Sequence, residues 1–96
     1  MIAVVGRYLA RPGTEEEVAQ RLREYAPIVR AEPGCAGFTV YRNRDEPGEF
    51  VLHEIYQAQE ELDAHLSSPH YEAVARARIH PLLADRQVAF YEPLEY

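Results

Sequence analysis

His65, Tyr71 and Glu54 are the side chains of this 96-residue chain best suited to move a proton or hold a developing charge. An imidazole titrates near neutrality, and His65 falls at the predicted end of a short helix, where the helix dipole favours positive charge. Tyr71 follows Ser68-Pro69 and is expected to point inward from the next helix. Glu54 lies mid-strand between Leu52 and Tyr56, and a carboxylate on an apolar strand face is costly unless paired. Each also has a structural alternative. His65 could bond a free helix-end carbonyl, Tyr71 could be a core phenol, and Glu54 could pair with Arg7 or Arg42. His53 has the opposite strand parity and belongs to the other sheet face. His70, at a helix start, and His80, beside Pro81, read as surface residues.

Other chemistries find less support. His65 and His70 are five residues apart with Ser68-Pro69 between them, whereas two ligands on one helix face are four apart. That spacing argues against a metal. Cys35 opens a strand after a tight turn and reads as a packing thiol. No Gly-rich phosphate loop and no CxxC occurs.

These residues need elements to position them. Residues 2–10 are β-prone and end at Arg11-Pro12-Gly13, which predicts a first strand. Thr14 and Glu17 have capping-box spacing, and Glu15 to Glu17 suit the positive end of a helix dipole. Val18, Leu22, Tyr25, Ala26 and Val29 recur at helical spacing, so a helix is predicted over about 14–31, kinked at Pro27 and ended by Pro33-Gly34. Strands follow at 36–43 and 49–57, joined through Asp45-Glu46-Pro47-Gly48 as a type II turn. A weakly capped helix covers about 59–66. Ser68 as cap and Pro69 at the first helical position restart the chain as a third helix. The last strand is predicted at 86–92.

The order β-α-β-β-α-β predicts an α+β, ferredoxin-like domain spanning 1–96: a four-stranded antiparallel sheet with helices on one face. Strand three carries Phe50, Leu52 and Tyr56 on one parity and Val51 and Ile55 on the other. A sheet apolar on both faces needs cover on both, and a second copy of the chain is the economical cover. A homodimer forming a barrel-like core is therefore expected. The tail from Pro93 onward could reach a neighbouring subunit through Leu94 and Tyr96.

Composition narrows the function classes. The net charge is −6, lysine is absent and all 10 cations are arginines. An acidic chain without a basic cluster argues against nucleic acid or an anionic membrane as partner. A single cysteine allows no internal disulfide, which fits a cytoplasmic location. No apolar run approaches the ~18 residues of a membrane helix.

Glu32-Pro33-Gly34-Cys35-Ala36-Gly37-Phe38, the Pro47-Gly48 turn, Glu54-Ile55-Tyr56, Asp63-Ala64-His65-Leu66 and Ser68-Pro69-His70-Tyr71 together resemble the antibiotic biosynthesis monooxygenase family of dimeric α+β barrel proteins. The likeness covers nearly the whole chain and is nearer the small quinol-oxygenase-like branch. Haem-degrading relatives carry an asparagine, an iron-binding histidine and a tryptophan at places that correspond to Gly6, Ala75 and the neighbourhood of His65. The resemblance implies a pocket between sheet and helices, with His65, Tyr71 and Glu54 as catalytic residues and Tyr56, Tyr25 and Phe38 as walls.

The activity so implied is a cofactor-independent monooxygenation of a phenolic or quinol-like aromatic by dioxygen, with no metal. His65 would act as base, Tyr71 would bond the oxyanion and Glu54 would orient the histidine. Two alternatives stay open: a cofactor-free isomerase of a small keto compound, which needs no oxygen, and a non-catalytic dimer that binds a small hydrophobic ligand.

Overall fold

The computed structural model describes residues 1–95, so Tyr96 lies outside the described residues. The elements run β1 (Ile2–Ala10), α1 (Glu15–Arg30), β2 (Cys35–Arg42), β3 (Glu49–Tyr56), α2 (Gln59–Leu66), α3 (Tyr71–Ile79), a short 3-10 turn (His80–Leu82) and β4 (Leu83–Tyr91). The four strands form one antiparallel sheet in the order β2-β3-β1-β4, with the helices on one face. This is the ferredoxin-like arrangement that the element order predicts.

Alternation in the strands sets the two faces. Phe50, Leu52, Glu54 and Tyr56 of β3 are buried under the helices, and Val51, His53 and Ile55 point the other way, only partly covered. α1 supplies Val18, Leu22, Tyr25, Ala26 and Val29 to the main core. A smaller cluster of Val4, Tyr56 and Leu62 lies beneath α2. Burying a side chain of this size contributes roughly 1.5–3 kcal/mol, so these two clusters fix where α1 and α2 sit on the sheet. Pro27 faces solvent within α1, on the side where a missing backbone bond is least costly.

Local chemistry departs from expectation at three places. Thr14 makes no side-chain cap bond to α1. Its hydroxyl donates to the carbonyls of Arg11 (2.8 Å) and Leu82 (3.1 Å), tying the start of α1 to the entry of β4 instead of closing a capping box. Gly13, at φ +92°, makes the turn before it. The β2–β3 turn is closed by the Glu49 N–H to the Glu46 carbonyl at 2.9 Å. Gly48 is not at positive φ, so the turn is not type II. Asn43 replaces that need, since its side-chain oxygen accepts from the N–H groups of Asp45 (2.9 Å) and Glu46 (3.1 Å). Finally, β4 begins at Leu83 rather than residue 86, because Leu83 and Asp85 already pair with Ala10 and Leu9.

α3 is π-wound over its nine residues. Its entry follows the sequence closely: the Ser68 hydroxyl accepts the Tyr71 N–H at 3.2 Å and donates to the His65 carbonyl at 2.7 Å. One serine thus ends α2 and starts the next helical segment, which places His65 and Tyr71 side by side. No helix of the described residues is long and apolar enough to cross a membrane.

Candidate active site

His65 is buried to 3% exposure in the last turn of α2. Its Nδ1 lies 2.9 Å and 3.2 Å from the two carboxylate oxygens of Glu32. Its Nε2 faces Glu54 at 3.8 Å. Its ring packs edge-on against Tyr71 with centroids 5.3 Å apart, and tilted against Tyr56 at 5.1 Å. With the proton on Nδ1, the imidazole donates to Glu32 and leaves the Nε2 lone pair free on the inner side. A carboxylate on one ring nitrogen is the usual device for fixing a histidine tautomer.

Neither Arg7 nor Arg42 pairs with Glu54. Arg7 bonds Glu49 and Arg42 bonds Glu16. Glu54 instead accepts a 2.6 Å bond from the Tyr56 hydroxyl. Burial raises its pKa above the usual carboxylate range, and the Tyr56 bond and His65 oppose that shift. Burial, followed by the charge of Glu54, drives the Tyr56 phenol far above its ordinary value, so Tyr56 stays a donor.

Two cavities meet at His65. The inner one, about 50 Å³, lies between sheet and helices and is lined by His65, Glu54, Tyr71, Tyr8, Tyr25 and Arg86 among apolar neighbours such as Leu52, Ala75 and Val88. Leu66 and Phe90 also line it, and both side chains are substantially solvent-exposed. Small-molecule pockets usually measure about 300–1,000 Å³, so a substrate must enlarge this one, and these two side chains are the free ones at its rim. The outer cavity, about 580 Å³, is lined by His65, Glu32, Glu60, Glu61 and Ser68 together with Pro33 and Gly34. His65 is the residue common to both linings.

The proposed walls divide. Tyr25 lines the inner cavity, and its hydroxyl is buried without a hydrogen-bond partner. Phe38 stands behind it, with ring centroids 5.8 Å apart. Tyr56 acts on the cavity through Glu54.

Arg86 and Glu32 are site residues that sequence reasoning misses. Arg86 pairs with Tyr8 across β1 and β4. It reaches the Tyr71 hydroxyl at 3.4 Å, and its guanidinium lies 5.8 Å from the Tyr8 ring centroid. It shares strand parity with Val88 and Phe90, so an arginine on an otherwise apolar parity is the readable signal. Glu32 opens the loop that ends α1, and only the tertiary fold brings it to His65.

His70 and His80 are not surface residues. His70 is half-buried and its Nε2 bonds Glu32. His80 packs edge-on against Tyr8 (5.8 Å) and Tyr71 (6.0 Å). Burial, then the charges of Arg86 and Arg76, push its pKa from 6.5 down to about 4. Between those values the unfolded chain binds more protons, so stability falls as the pH drops from about 6.5 to about 4. The urea midpoint of the wild type should therefore decline across that window, and less so in His80→Gln. An identical pH slope in the two proteins would exclude His80 as the cause. Glu54, with its raised pKa, has the opposite sign: its contribution is lost as pH rises through the folded value.

Cys35 donates weakly to the Gly37 carbonyl at 3.4 Å, and burial raises its pKa. That is the setting of a packing thiol, not a nucleophile.

Comparison with known proteins gives the family and supports the fold. The sequence model of the family described as antibiotic biosynthesis monooxygenase matches residues 1–77. Rv0793 of Mycobacterium tuberculosis is 37% identical over 70 residues, which cover 73% of this chain and 68% of that protein. Its solved structure superimposes with a TM-score of 0.90 at 34% identity, covering 99% of this chain and 96% of that one. Protein sll1783 of Synechocystis is 27% identical over 70 residues, and the match spans 73% of this chain but about half (48%) of that protein. A point mutant of SnoaB, a cofactor-independent oxygenase from Streptomyces nogalater, shares the fold with a TM-score of 0.86 at 18% identity, covering 99% of this chain and 94% of that one. On the family match and the likeness to Rv0793, the chain belongs to the antibiotic biosynthesis monooxygenase family.

Proposed function

We propose that this protein is a cofactor-independent monooxygenase that oxidises a phenolic, quinol-like or anthrone-like aromatic with dioxygen. One observation carries the reading: a buried histidine, held by a carboxylate at Nδ1, turns its other nitrogen toward a small inner cavity that is also lined by Tyr71 and Arg86. Such a site can remove a proton and hold the resulting anion away from water. SnoaB, of the same fold, is a cofactor-independent oxygenase.

Electrons in this reaction come from the substrate. His65 Nε2 takes a proton from the acidic C–H or O–H of the aromatic, while Arg86 and Tyr71 stabilise the anion. The anion passes one electron to dioxygen, and the substrate radical and superoxide join through a new C–O bond. In an anthrone, O–O cleavage with loss of the second hydrogen then yields a carbonyl and water. The imidazolium returns its proton to the departing oxygen. In this reading Glu32, which bonds His65 Nδ1, takes the orienting role in place of Glu54. Glu54, 3.8 Å from Nε2, is the neighbouring carboxylate that favours the imidazolium.

The open sheet face supports a homodimer. Val51 and Ile55 are only partly covered there, and Tyr41 (53%) and Tyr91 (54%) are exposed. A second copy packed on this face would bury them and complete a barrel-like core.

Oxygen uptake by metal-stripped protein with a panel of hydroquinones and anthrones tests the reading. Uptake above autoxidation is expected, with no product formed anaerobically. Anaerobic turnover would point to an isomerase, and tight binding without turnover to a ligand-binding dimer.

A further inference from the structure

We propose that Glu32, His65 and His70 form a binding site for a borderline divalent transition metal, with Zn²⁺ the best-fitting ion. The sequence spacing argues against this, because five residues and a helix break separate the two histidines. The break is what brings them together: the chain turns at Ser67 to Pro69, and both imidazoles converge on Glu32 Oε2. His65 Nδ1, His70 Nε2 and the carboxylate oxygen all lie within 4.8 Å of one another. Ligand atoms around a tetrahedral zinc stand about 3.3 Å apart, given metal–ligand distances near 2.0–2.1 Å. Binding of the ion would draw the three donors to that spacing.

Three further features point to a cation. First, Glu54, itself held by Tyr56, stands 3.8 Å from the other ring nitrogen of His65; this is beyond hydrogen-bond distance, but it puts a carboxylate on the side where metal-bound histidines characteristically direct their second N–H. Second, the outer cavity leaves room for a fourth, water-filled position. It is lined by Glu32, Glu60 and Glu61 and, among the described residues, by no arginine. Third, Glu61 Oε2, in the same lining though outside the three-donor cluster, is buried without any hydrogen-bond partner, an oxygen that a cation's bound water would satisfy. The donor set of two imidazoles and one carboxylate suits zinc and its first-row neighbours and does not suit calcium or magnesium.

Metal binding and base catalysis exclude one another at His65. A metal on Nδ1 leaves the proton on Nε2, so the ring can no longer accept one from substrate. Zinc should therefore inhibit oxygen uptake. That consequence rests on the oxygenase reading; the binding itself does not.

The test is titration of metal-stripped protein with Zn²⁺ against a chromophoric chelator, with Co²⁺ as a spectroscopic probe of ligand geometry. One ion per chain is expected, with Co²⁺ showing the intense visible bands of a four- or five-coordinate site. His70→Ala, and His70→Gln as a second variant should alanine fold poorly, are expected to weaken binding about 100-fold or more. His53→Ala, on the opposite sheet face, should leave it unchanged. Overturning results would be less than one ion per chain, an octahedral water-like Co²⁺ spectrum, or affinities within twofold of wild type in both folded His70 variants.

Discussion

His65→Ala should lower the turnover number for oxygen uptake by about 10²–10⁴-fold, the range that one positioned acid–base group supplies. The expectation follows from where the ring stands. His65 lines both cavities, is bonded to Glu32 on one side and faces the substrate cavity on the other. Without the imidazole, the remaining basic group in the inner lining is the Glu54 carboxylate, which is already engaged by the Tyr56 hydroxyl. Tyr71, Tyr8 and Tyr25 are phenols, and burial raises the pKa of both Tyr8 and Tyr25. The loss should fall on kcat and much less on KM, because the binding surface is supplied mainly by other residues. Alanine also leaves Glu32 without its His65 partner, a cost of about 1–3 kcal/mol. His65→Gln, whose side-chain amide can still donate to Glu32, separates catalysis from folding: it should be folded and equally slow. Full turnover in a folded His65 variant would remove the histidine from the mechanism.

Glu32→Gln should lower kcat by about 10²-fold while leaving the fold intact. The amide can still bond His65 Nδ1, but it can donate as well as accept, so the tautomer with a free Nε2 is no longer enforced. In the serine protease triad the corresponding carboxylate-to-amide change costs about 10⁴-fold; the smaller effect expected here reflects Glu54, which stays beside the ring. Partial recovery in Glu32→Asp would mark a carboxylate role. A folded Glu32→Gln enzyme with wild-type kcat would show that the contact only ties α2 to the loop after α1.

The sequence carried the fold because its signals are local. Helical spacing from Val18 to Val29 matches α1 within a residue at each end. The two-sided apolar pattern of strand three matches a sheet covered on one face and bare on the other. Ser68-Pro69 also read correctly, since one hydroxyl ends α2 and starts the next segment. What was not legible depended on tertiary register. Glu32 and His65 are 33 residues apart, and nothing local to either predicts their meeting. Arg86 is the first residue of the predicted last strand, and its parity with Val88 and Phe90 puts it on the helix side; its meeting with Tyr8 and Tyr71 depends on sheet register and on the docking of α3. Glu54 was legible as an oddity, but its partner was not: both expected arginines are engaged with other carboxylates, and a tyrosine two residues away bonds it instead. His70 and His80 looked exposed because loop histidines usually are; here Glu32 captures one and two tyrosines enclose the other.

The central claim is that His65 drives an oxygen-dependent oxidation without a cofactor. Its most direct test is a single-turnover reaction of metal-stripped protein with an anthrone under isotopically labelled dioxygen, run beside His65→Gln. Label is expected in the new carbonyl of the product at one atom per molecule, with a rate in the variant reduced to near autoxidation. Product lacking the label, or equal labelled yield and rate from wild type and variant, would contradict it.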